Sequence, residues 1–239
     1  MRKTRSLVYF AALLLAGHAH AEGAIRQRLT EVLMKVSPGM KVISVRPAAL
    51  DGLYEVQADG EIFYMSEDGK FLVKGDLLDI DSLRNLTDER RGQVNIEALR
   101  GVAPTSMIEF APKDTRHVLY VYTDVDCGYC RKFHQQVGQL NDAGIAIRYL
   151  AFPRAGIGSE SYAKAVSVWC AKDRRTALTD AKAGKPVKPA NCDNPVVAQY
   201  ELGQRMGVQG TPALYTETGQ AIGGYIPADR LVKMLAKPQ

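Results

Sequence analysis

The chain has 239 residues, of which 46% are hydrophobic and 24% are charged. This length suits one large domain or two small ones, and the apolar content is sufficient for real cores. The formal net charge is +5, but Arg2, Lys3 and Arg5 supply three of the positive charges, which leaves only +2 on the rest of the chain. This charge balance gives no reason to expect a nucleic-acid partner.

The first 21 residues have the pattern of a secretory signal peptide. The basic start is followed by an apolar run from Leu7 to Gly17, and Ala19-His20-Ala21 fits a small-x-small cleavage site. The apolar run is too short to span a bilayer comfortably. The alternative, an uncleaved anchor, is disfavoured because the rest of the sequence contains no longer hydrophobic segment. We therefore expect export to a compartment that permits disulfides.

Residues 22–82 predict a small β-rich domain. Apolar residues at positions 25, 29, 32, 33 and 36 follow helical spacing, and the period then changes to two. Asp59-Gly60 and Asp68-Gly69 are typical of tight hairpins. Short strands are predicted at Lys41–Arg46, Leu53–Ala58, Glu61–Ser66 and Phe71–Lys74. Such a small core would gain by pairing an edge strand with a second copy of itself, although packing on the next domain of the same chain is an alternative.

Leu83 to Arg100 predicts an exposed helix that bridges two domains. The segment is highly charged, begins with a capping-like Thr87 followed by acidic residues, and carries only a thin apolar stripe. Pro104 and Pro112 flank the stretch in which the helix is expected to end.

Two cysteines separated by two residues follow directly after a β-branched and aromatic run. The run His117–Thr123 leads to Cys127 and Cys130, and a helix is predicted over residues 127–140. Unpaired backbone N–H groups at the start of a helix stabilise a thiolate, so we expect Cys127 to be the more acidic and more exposed sulfur and Cys130 to be shielded. The pattern predicts a thiol–disulfide exchange site. A zinc site and an inert structural disulfide are weaker alternatives, since ligand-spaced partners are missing and the closed loop is tiny.

The remaining elements predict a thioredoxin-like arrangement, so the fold class is α+β to α/β. A β-α-β start and a β-β-α end enclose inserted helices. The elements after the helix of the cysteine motif are Ile145–Ala151, Ser159–Ala171, about Asp193–Met206, Ala213–Thr216, Ala221–Gly224 and Ala228–Leu235. Pro212 precedes a strand; a trans bond is the default for such a proline, but in thioredoxin-like folds it is cis and lies against the two cysteines.

These motifs together resemble the DsbC/DsbG family of bacterial periplasmic disulfide isomerases. The resemblance rests on Gly128-Tyr129 inside the cysteine motif, on Phe152-Pro153 and on Gly210-Thr211-Pro212, and it covers essentially the whole chain after the leader. It implies a V-shaped homodimer with two catalytic domains facing an uncharged cleft. Its expected parts are an N-terminal dimerisation domain (22–82), a helical linker (83–103) and a thioredoxin-like catalytic domain with a helical insertion (104–239).

The resemblance also implies roles for individual residues. Cys127 would be the nucleophile and Cys130 the resolving thiol, while Gly128, Tyr129, Thr211 and a cis Pro212 would contact substrate. Cys170 and Cys192 match a structural disulfide of the family, which agrees with their being left for each other if Cys127 pairs with Cys130; a second redox couple is the alternative. The sequence does not decide what Asp124, Asp126 and His134 do, although His134 is expected to be a surface or packing residue.

The expected partners follow from the same resemblance. They are a second copy of the chain, misfolded disulfide-containing exported proteins, and a membrane reductant of the DsbD type that keeps the cysteine pair reduced. No metal, cofactor or nucleic acid is expected. An associated chaperone activity is expected. A DsbA-like oxidase and a DsbG-like chaperone with secondary redox chemistry are the alternative functions; Pro-Tyr is typical of the DsbG motif, so Gly128-Tyr129 favours DsbC.

Overall fold

A computed structural model describes residues 22–236, which divide into two compact units on either side of the Leu77–Leu78 bond. The predicted signal peptide, residues 1–21, lies outside the described residues. Within the described range, no helix is long and apolar enough to cross a membrane.

Between residues 22 and 77, the first unit contains one helix and a four-stranded antiparallel sheet. Helix α1 spans residues 22–36. The strands follow in the order β1-β2-β3-β4, with β1 at Val42–Pro47, β2 at Leu53–Ala58, β3 at Glu61–Ser66 and β4 at Leu72–Val73. Leu29 and Leu33 of α1 pack against Val56 and Phe63 of the sheet, and all four side chains are buried. The helical and strand periods of the sequence therefore correspond to one shared core.

The sheet of the first unit has a tight central hairpin and an apolar edge. Asp59 and Gly60 both have positive φ angles, 49° and 81°, which suit the two central positions of a type I′ turn. At the β4 edge, Phe71, Leu72 and Val73 are 68%, 46% and 49% exposed. This edge leaves both backbone groups and apolar side chains without cover from its own unit.

The second unit is built on a five-stranded sheet in the order β11-β10-β8-β9-β7. Strands β8 and β9 are parallel, and the other neighbouring pairs are antiparallel. A two-stranded ribbon, β5 (Leu78–Asp79) with β6 (Arg84–Asn85), precedes this sheet in the chain. The strands of the main sheet are β7 (Ile108–Phe110), β8 (His117–Thr123), β9 (Ile145–Ala151), β10 (Ala213–Tyr215) and β11 (Ala221–Gly223).

Between residues 78 and 236, seven α-helices accompany these strands. They are α2 (Leu86–Arg100), α3 (Gly128–His134), α4 (Val137–Asp142), α5 (Glu160–Trp169), α6 (Arg174–Lys182), α7 (Val196–Arg205) and α8 (Ala228–Leu235). Successive residues of β8 point to opposite faces of the sheet. Leu119 and Val121 join a core with Phe133 of α3, whereas Tyr120 and Tyr122 join a second core. The central strand is thus buried on both faces, as its continuous apolar sequence requires.

The prediction of α2 as an exposed helix was wrong. Leu99 and Ile96 are 0% and 8% exposed and belong to the second core of the second unit. The N-cap is Asn85, whose side chain accepts from the backbone N–H of Asp88, and not Thr87, which is buried. The low apolar content misled the prediction because part of the contact is made by backbone: a Cβ on Gly219 would lie 2.1 Å from the Gly92 carbonyl oxygen.

The helix that carries the cysteine motif is shorter than predicted. The expected helix over 127–140 is divided into α3 and α4, with Gln135 and Gln136 between them. Strands β5, β6 and β7 were not predicted, since each has only two or three residues and carries no usable period. Helix α6 (Arg174–Lys182) was not predicted either, because the sequence between Cys170 and Cys192 is polar and contains Gly and Pro. The remaining strands and helices lie within a few residues of their predicted bounds.

Candidate active site

The two cysteines lie where β8 passes into α3. Strand β8 ends at Thr123, and Cys127 is the N-cap residue of α3, so Cys130 falls in the first turn. Both are free thiols and both are buried, with 2% and 1% of their surfaces exposed. Cys127 is the more exposed of the two thiols, as expected, but only slightly; the large exposure at the motif belongs to the neighbouring Tyr129, at 64%.

Cys127 is covered by the loop before β10. Its thiol donates to the Thr211 carbonyl oxygen over 3.2 Å, and the Thr211–Pro212 peptide bond is cis. The Thr211 side-chain oxygen is buried and forms no hydrogen bond within residues 22–236, although its hydroxyl lowers the pKa of both nearby cysteines. The structure thus brings Cys127 and Cys130 together with Thr211 and Pro212, which lie more than 80 positions later in the sequence.

A groove of about 620 Å³ borders this site. Its lining includes Tyr129, Thr211, Pro212, Gly224 and Tyr225. The rings of Tyr129 and Tyr225 are 5.9 Å apart. Gly128 faces open space, since no atom lies within 4 Å of where its Cβ would be. The groove combines aromatic side chains with the backbone that precedes a strand.

The surroundings of Cys127 favour its thiolate. Burial raises the pKa of Cys127, but the Thr211 hydroxyl, the backbone N–H and thiol of Cys130, and the charge of Arg154 lower it, and the net pKa lies below the usual value. The helix N-terminus therefore contributes through a specific N–H group, as the sequence argument expects.

The second cysteine shows the opposite shift. Burial raises the pKa of Cys130 above its usual value, although Lys182, Thr123 and Thr211 partly oppose the effect of burial. The two thiols, three positions apart, therefore differ in acidity, and Cys127 is the one that ionises first. This ordering is what a nucleophile and a resolving thiol require.

The acidic residues beside the motif are already paired. Asp126 forms ion pairs with Arg131 and Lys164, at 3.2 and 3.1 Å. Asp124 is 3% exposed and accepts hydrogen bonds from the backbone N–H groups of Asp126 and Arg154, each at 2.8 Å. Neither carboxylate faces Cys127 as an uncompensated charge.

His134 is a packing residue inside the unit. Its two ring nitrogens lie 2.9 Å from the Tyr149 hydroxyl and 3.0 Å from the Thr179 hydroxyl. Burial lowers the pKa of His134 to about 4, so the ring is neutral at physiological pH.

The other two cysteines form a disulfide. Cys170 follows α5 and is bonded to Cys192, 22 positions later, in the loop before α7. Residues 22–236 contain no group of three or more His, Cys, Asp or Glu side chains suited to hold a metal ion.

Sequence reasoning missed one neighbour of the site, Lys182. This lysine is 4% exposed, at the last position of α6, and donates to Thr123 and to the Asp124 carbonyl oxygen. The available signal was its spacing, four positions after the buried Leu178 and directly after the buried Ala181. Lysine is rarely fully buried, so a lysine on an apolar helix face indicates a special environment.

A cysteine pair at a strand-to-helix junction, set against a cis-proline loop on this sheet order, defines a thioredoxin-like thiol–disulfide oxidoreductase. The sequence comparisons agree with that class. A thioredoxin-like domain family matches residues 103–239, and the disulfide bond isomerase protein N-terminal domain matches residues 16–88. The predicted fold class is thereby confirmed.

Similar proteins identify the family. The thiol:disulfide interchange protein DsbC of Salmonella typhimurium is 35% identical over 229 residues, covering 94% of this chain and 92% of the relative. The DsbC protein of Haemophilus influenzae is 37% identical over 226 residues, with 93% and 95% covered. A disulfide interchange protein from Neisseria gonorrhoeae matches in structure with a TM-score of 0.51 and 26% identity, covering 57% of this chain and all of the other. The chain belongs to the DsbC family of thiol:disulfide interchange proteins, and it is an enzyme of the thiol:disulfide isomerase and oxidoreductase class.

Proposed function

We propose that this protein reshuffles non-native disulfides in exported proteins through the dithiol of Cys127 and Cys130. The observation that carries the proposal is the contact between the Cys127 thiol and the carbonyl oxygen before the cis-proline. A substrate sulfur that approaches Cys127 would also meet this backbone and the groove beside it. The lowered pKa of Cys127 and the raised pKa of Cys130 support their different roles.

The first step is attack by the Cys127 thiolate on a substrate disulfide. A bond forms between Cys127 and one substrate sulfur, and the other substrate sulfur leaves as a thiolate. That thiolate can attack a second disulfide of the same substrate, and a later attack on the mixed disulfide releases Cys127. The cycle moves disulfides without net oxidation or reduction.

Cys130 resolves a mixed disulfide that does not rearrange further. Its thiolate attacks Cys127, the Cys127–Cys130 disulfide forms, and the substrate leaves reduced. Two electrons pass from the enzyme to the substrate, so an external dithiol donor must restore the enzyme. We propose a membrane reductase of the DsbD type for this step and the periplasm as the compartment, with residues 1–21 as the export signal.

Substrate binding is assigned to the groove beside the cysteines. Tyr129 offers an exposed aromatic face, Gly128 leaves the approach open, and the cis bond orients the backbone of Thr211 and Pro212 towards Cys127. Backbone pairing and aromatic contacts accept many sequences, which suits an enzyme for varied misfolded proteins.

We further propose that the region 22–82 forms a homodimer, with 83–103 as the linker to the catalytic domain of residues 104–239. The apolar β4 edge supports this assignment, because Phe71, Leu72 and Val73 lack cover from their own unit. Pairing of this edge with a second copy would bury both the side chains and the open backbone groups. The two catalytic units of such a dimer would bind misfolded chains together and so provide chaperone activity.

The redox proposal is tested with the full chain acting on a protein with scrambled disulfides. Cys130→Ser should accumulate a mixed disulfide through Cys127 that dithiothreitol dissolves, whereas Cys127→Ser should form none. Wild type should restore native disulfides when supplied reduced. Faster oxidation of a reduced substrate by the oxidised enzyme, without reshuffling of scrambled disulfides, would assign the protein to the oxidases instead.

The dimer is tested by a charge placed on the apolar edge. Leu72→Lys should lower the mass in solution from dimer to monomer and reduce both isomerisation and suppression of aggregation. Leu50→Lys is a matched control, since Leu50 is also exposed in the first unit, at 53%, but lies between β1 and β2. A monomeric wild type, or a dimer that survives Leu72→Lys unchanged, would refute this assignment.

A further inference from the structure

Lys182 is a buried cation beside the reactive cysteines. It is 4% exposed, and its Nζ donates to the Thr123 hydroxyl at 2.6 Å and to the Asp124 carbonyl oxygen at 2.7 Å. It forms no ion pair with any residue in the range 22–236. A buried ammonium without a carboxylate partner is costly, and two neutral acceptors offset only part of that cost.

Four charged or titratable groups act most strongly on Lys182. They are Cys130, Asp124, Cys127 and Arg131, in order of effect. Asp124 forms an ion pair with Arg154, and Arg131 forms an ion pair with Asp126. The charge of Lys182 also lowers the pKa of His134, but His134 is neutral and has hydrogen-bond partners on both ring nitrogens. The anion left for Lys182 to stabilise is therefore a cysteine thiolate, and Cys130 is the cysteine with the larger effect.

We propose that Lys182 is a positioning residue for the resolving step: acting through space and through the Thr123 hydroxyl, its ammonium stabilises the thiolate of Cys130 that attacks Cys127. This inference rests on the roles proposed above for the two cysteines. It adds a residue of the inserted helices, α6, to a site otherwise formed by β8, α3 and the loop before β10.

The chemistry follows from the direction of the hydrogen bonds. Lys182 donates to the oxygen of Thr123, so the Thr123 hydrogen is free to point at Cys130, and both groups favour the thiolate. Burial raises the pKa of Cys130, and Lys182 is the largest of the effects that oppose it. Burial also lowers the pKa of Lys182 to about 8, which leaves it mostly protonated at pH 7.

The step balances without another reagent. Cys130 loses its proton to solvent, its thiolate forms a bond to Cys127, and the bond from Cys127 to the substrate sulfur breaks. The substrate sulfur leaves with the electron pair and then takes a proton from water. The ammonium of Lys182 is needed only while Cys130 carries its negative charge.

The test follows the resolving step alone with a chromophoric leaving group. One equivalent of Ellman's reagent converts Cys127 to its thionitrobenzoate mixed disulfide with release of one thiolate, and attack by Cys130 then releases a second. Stopped-flow absorbance of the second release, measured from pH 6 to 11, gives the pH profile of Cys130. Lys182→Met is compared with Lys185→Met, a control in which the lysine is exposed and paired with Asp180 at 2.7 Å.

Lys182→Met should move the midpoint of the profile up by roughly one pH unit and slow the second release about tenfold at pH 7. Lys185→Met should match wild type. Thr123→Val, which keeps the ammonium but removes the hydroxyl, should give a smaller shift in the same direction and serves if Lys182→Met fails to fold. A wild-type profile in a folded Lys182→Met, or in Thr123→Val if the former does not fold, would overturn the inference. Absence of the first release at Cys127 would instead contradict the proposed function.

Discussion

The two cysteine pairs of the second unit have the same chemistry available and are used differently. Cys127 and Cys130 are free thiols three positions apart, at the first turn of a helix, with a hydroxyl, backbone N–H groups and a buried ammonium around them. Cys170 and Cys192 are bonded across 22 positions of chain. A bond between the first pair would remove little entropy from the unfolded chain, whereas the bond across the longer loop removes more and so stabilises the fold more. Surroundings and loop length therefore separate a reactive pair from a structural one.

The largest expected effect comes from breaking the reactive pair. Cys127→Ser should abolish reshuffling of scrambled disulfides, because the serine hydroxyl does not ionise in this pH range and cannot form a mixed disulfide. The assay is recovery of native activity by a scrambled substrate. Cys192→Ser is the comparison within the same unit, and it should retain catalysis in the folded fraction. Loss of catalysis in both variants to the same extent would erase the proposed distinction.

Breaking the structural pair should affect stability. In the double variant, both Cys170 and Cys192 are replaced by serine. Its free energy of unfolding should be lower by about 3 kcal/mol in the chain-entropy model for a loop of this length. Urea unfolding followed by tryptophan fluorescence measures this, since Trp169 lies next to Cys170. The thiol reactivity of Cys127 at low denaturant should stay at the wild-type level. A change of less than about 0.5 kcal/mol would mean that the disulfide has little structural role.

The hydroxyl of Thr211 offers a finer test of the reactive pair. It is the largest of the influences that lower the pKa of Cys127, so Thr211→Val should raise that pKa. The alkylation rate of Cys127 rises with pH as the thiol ionises, so its midpoint should move to higher pH in the variant. The Thr216→Val variant, which changes a buried threonine in the same strand region, is the control. Equal midpoints in all three proteins would contradict this explanation.

The smallest expected effect belongs to the paired acids. Asp126→Asn removes ion pairs with Arg131 and Lys164, which are partly exposed, so stability should change by less than about 1 kcal/mol. The midpoint of Cys127 alkylation should shift by only a few tenths of a pH unit. A shift as large as that of Thr211→Val would show that surface charge, and not the cis-proline loop, controls the thiol.

Much of this arrangement was predictable from local sequence. The spacing of Cys127 and Cys130 after an apolar strand indicated a helix N-terminus, and Thr211-Pro212 before a hairpin indicated the loop that faces it. The hairpin of the first unit followed from Asp59-Gly60, whose φ angles are both positive. These features depend on neighbours in the chain, which is why periodicity and turn chemistry find them.

The parts that sequence missed depend on contacts made far along the chain. Helix α2 packs partly through the backbone contact of Gly92 with Gly219, and a backbone contact leaves no side-chain pattern to detect. Lys182 is buried because α6 packs it beside Thr123, 59 positions earlier. The burial of Cys127 likewise results from Thr211, 84 positions later. Such contacts decide the acidity of the site and need the tertiary fold.

The most direct test of the central claim is site-resolved alkylation of the reduced full chain between pH 4 and 10, with peptide mass spectrometry separating Cys127 from Cys130. The account predicts that Cys127 is labelled first at mildly acidic pH, with a midpoint below that of an ordinary thiol, and that Cys130 is labelled only at higher pH. Preferential labelling of Cys130, or identical midpoints for the two residues, would contradict the assignment of nucleophile and resolving thiol.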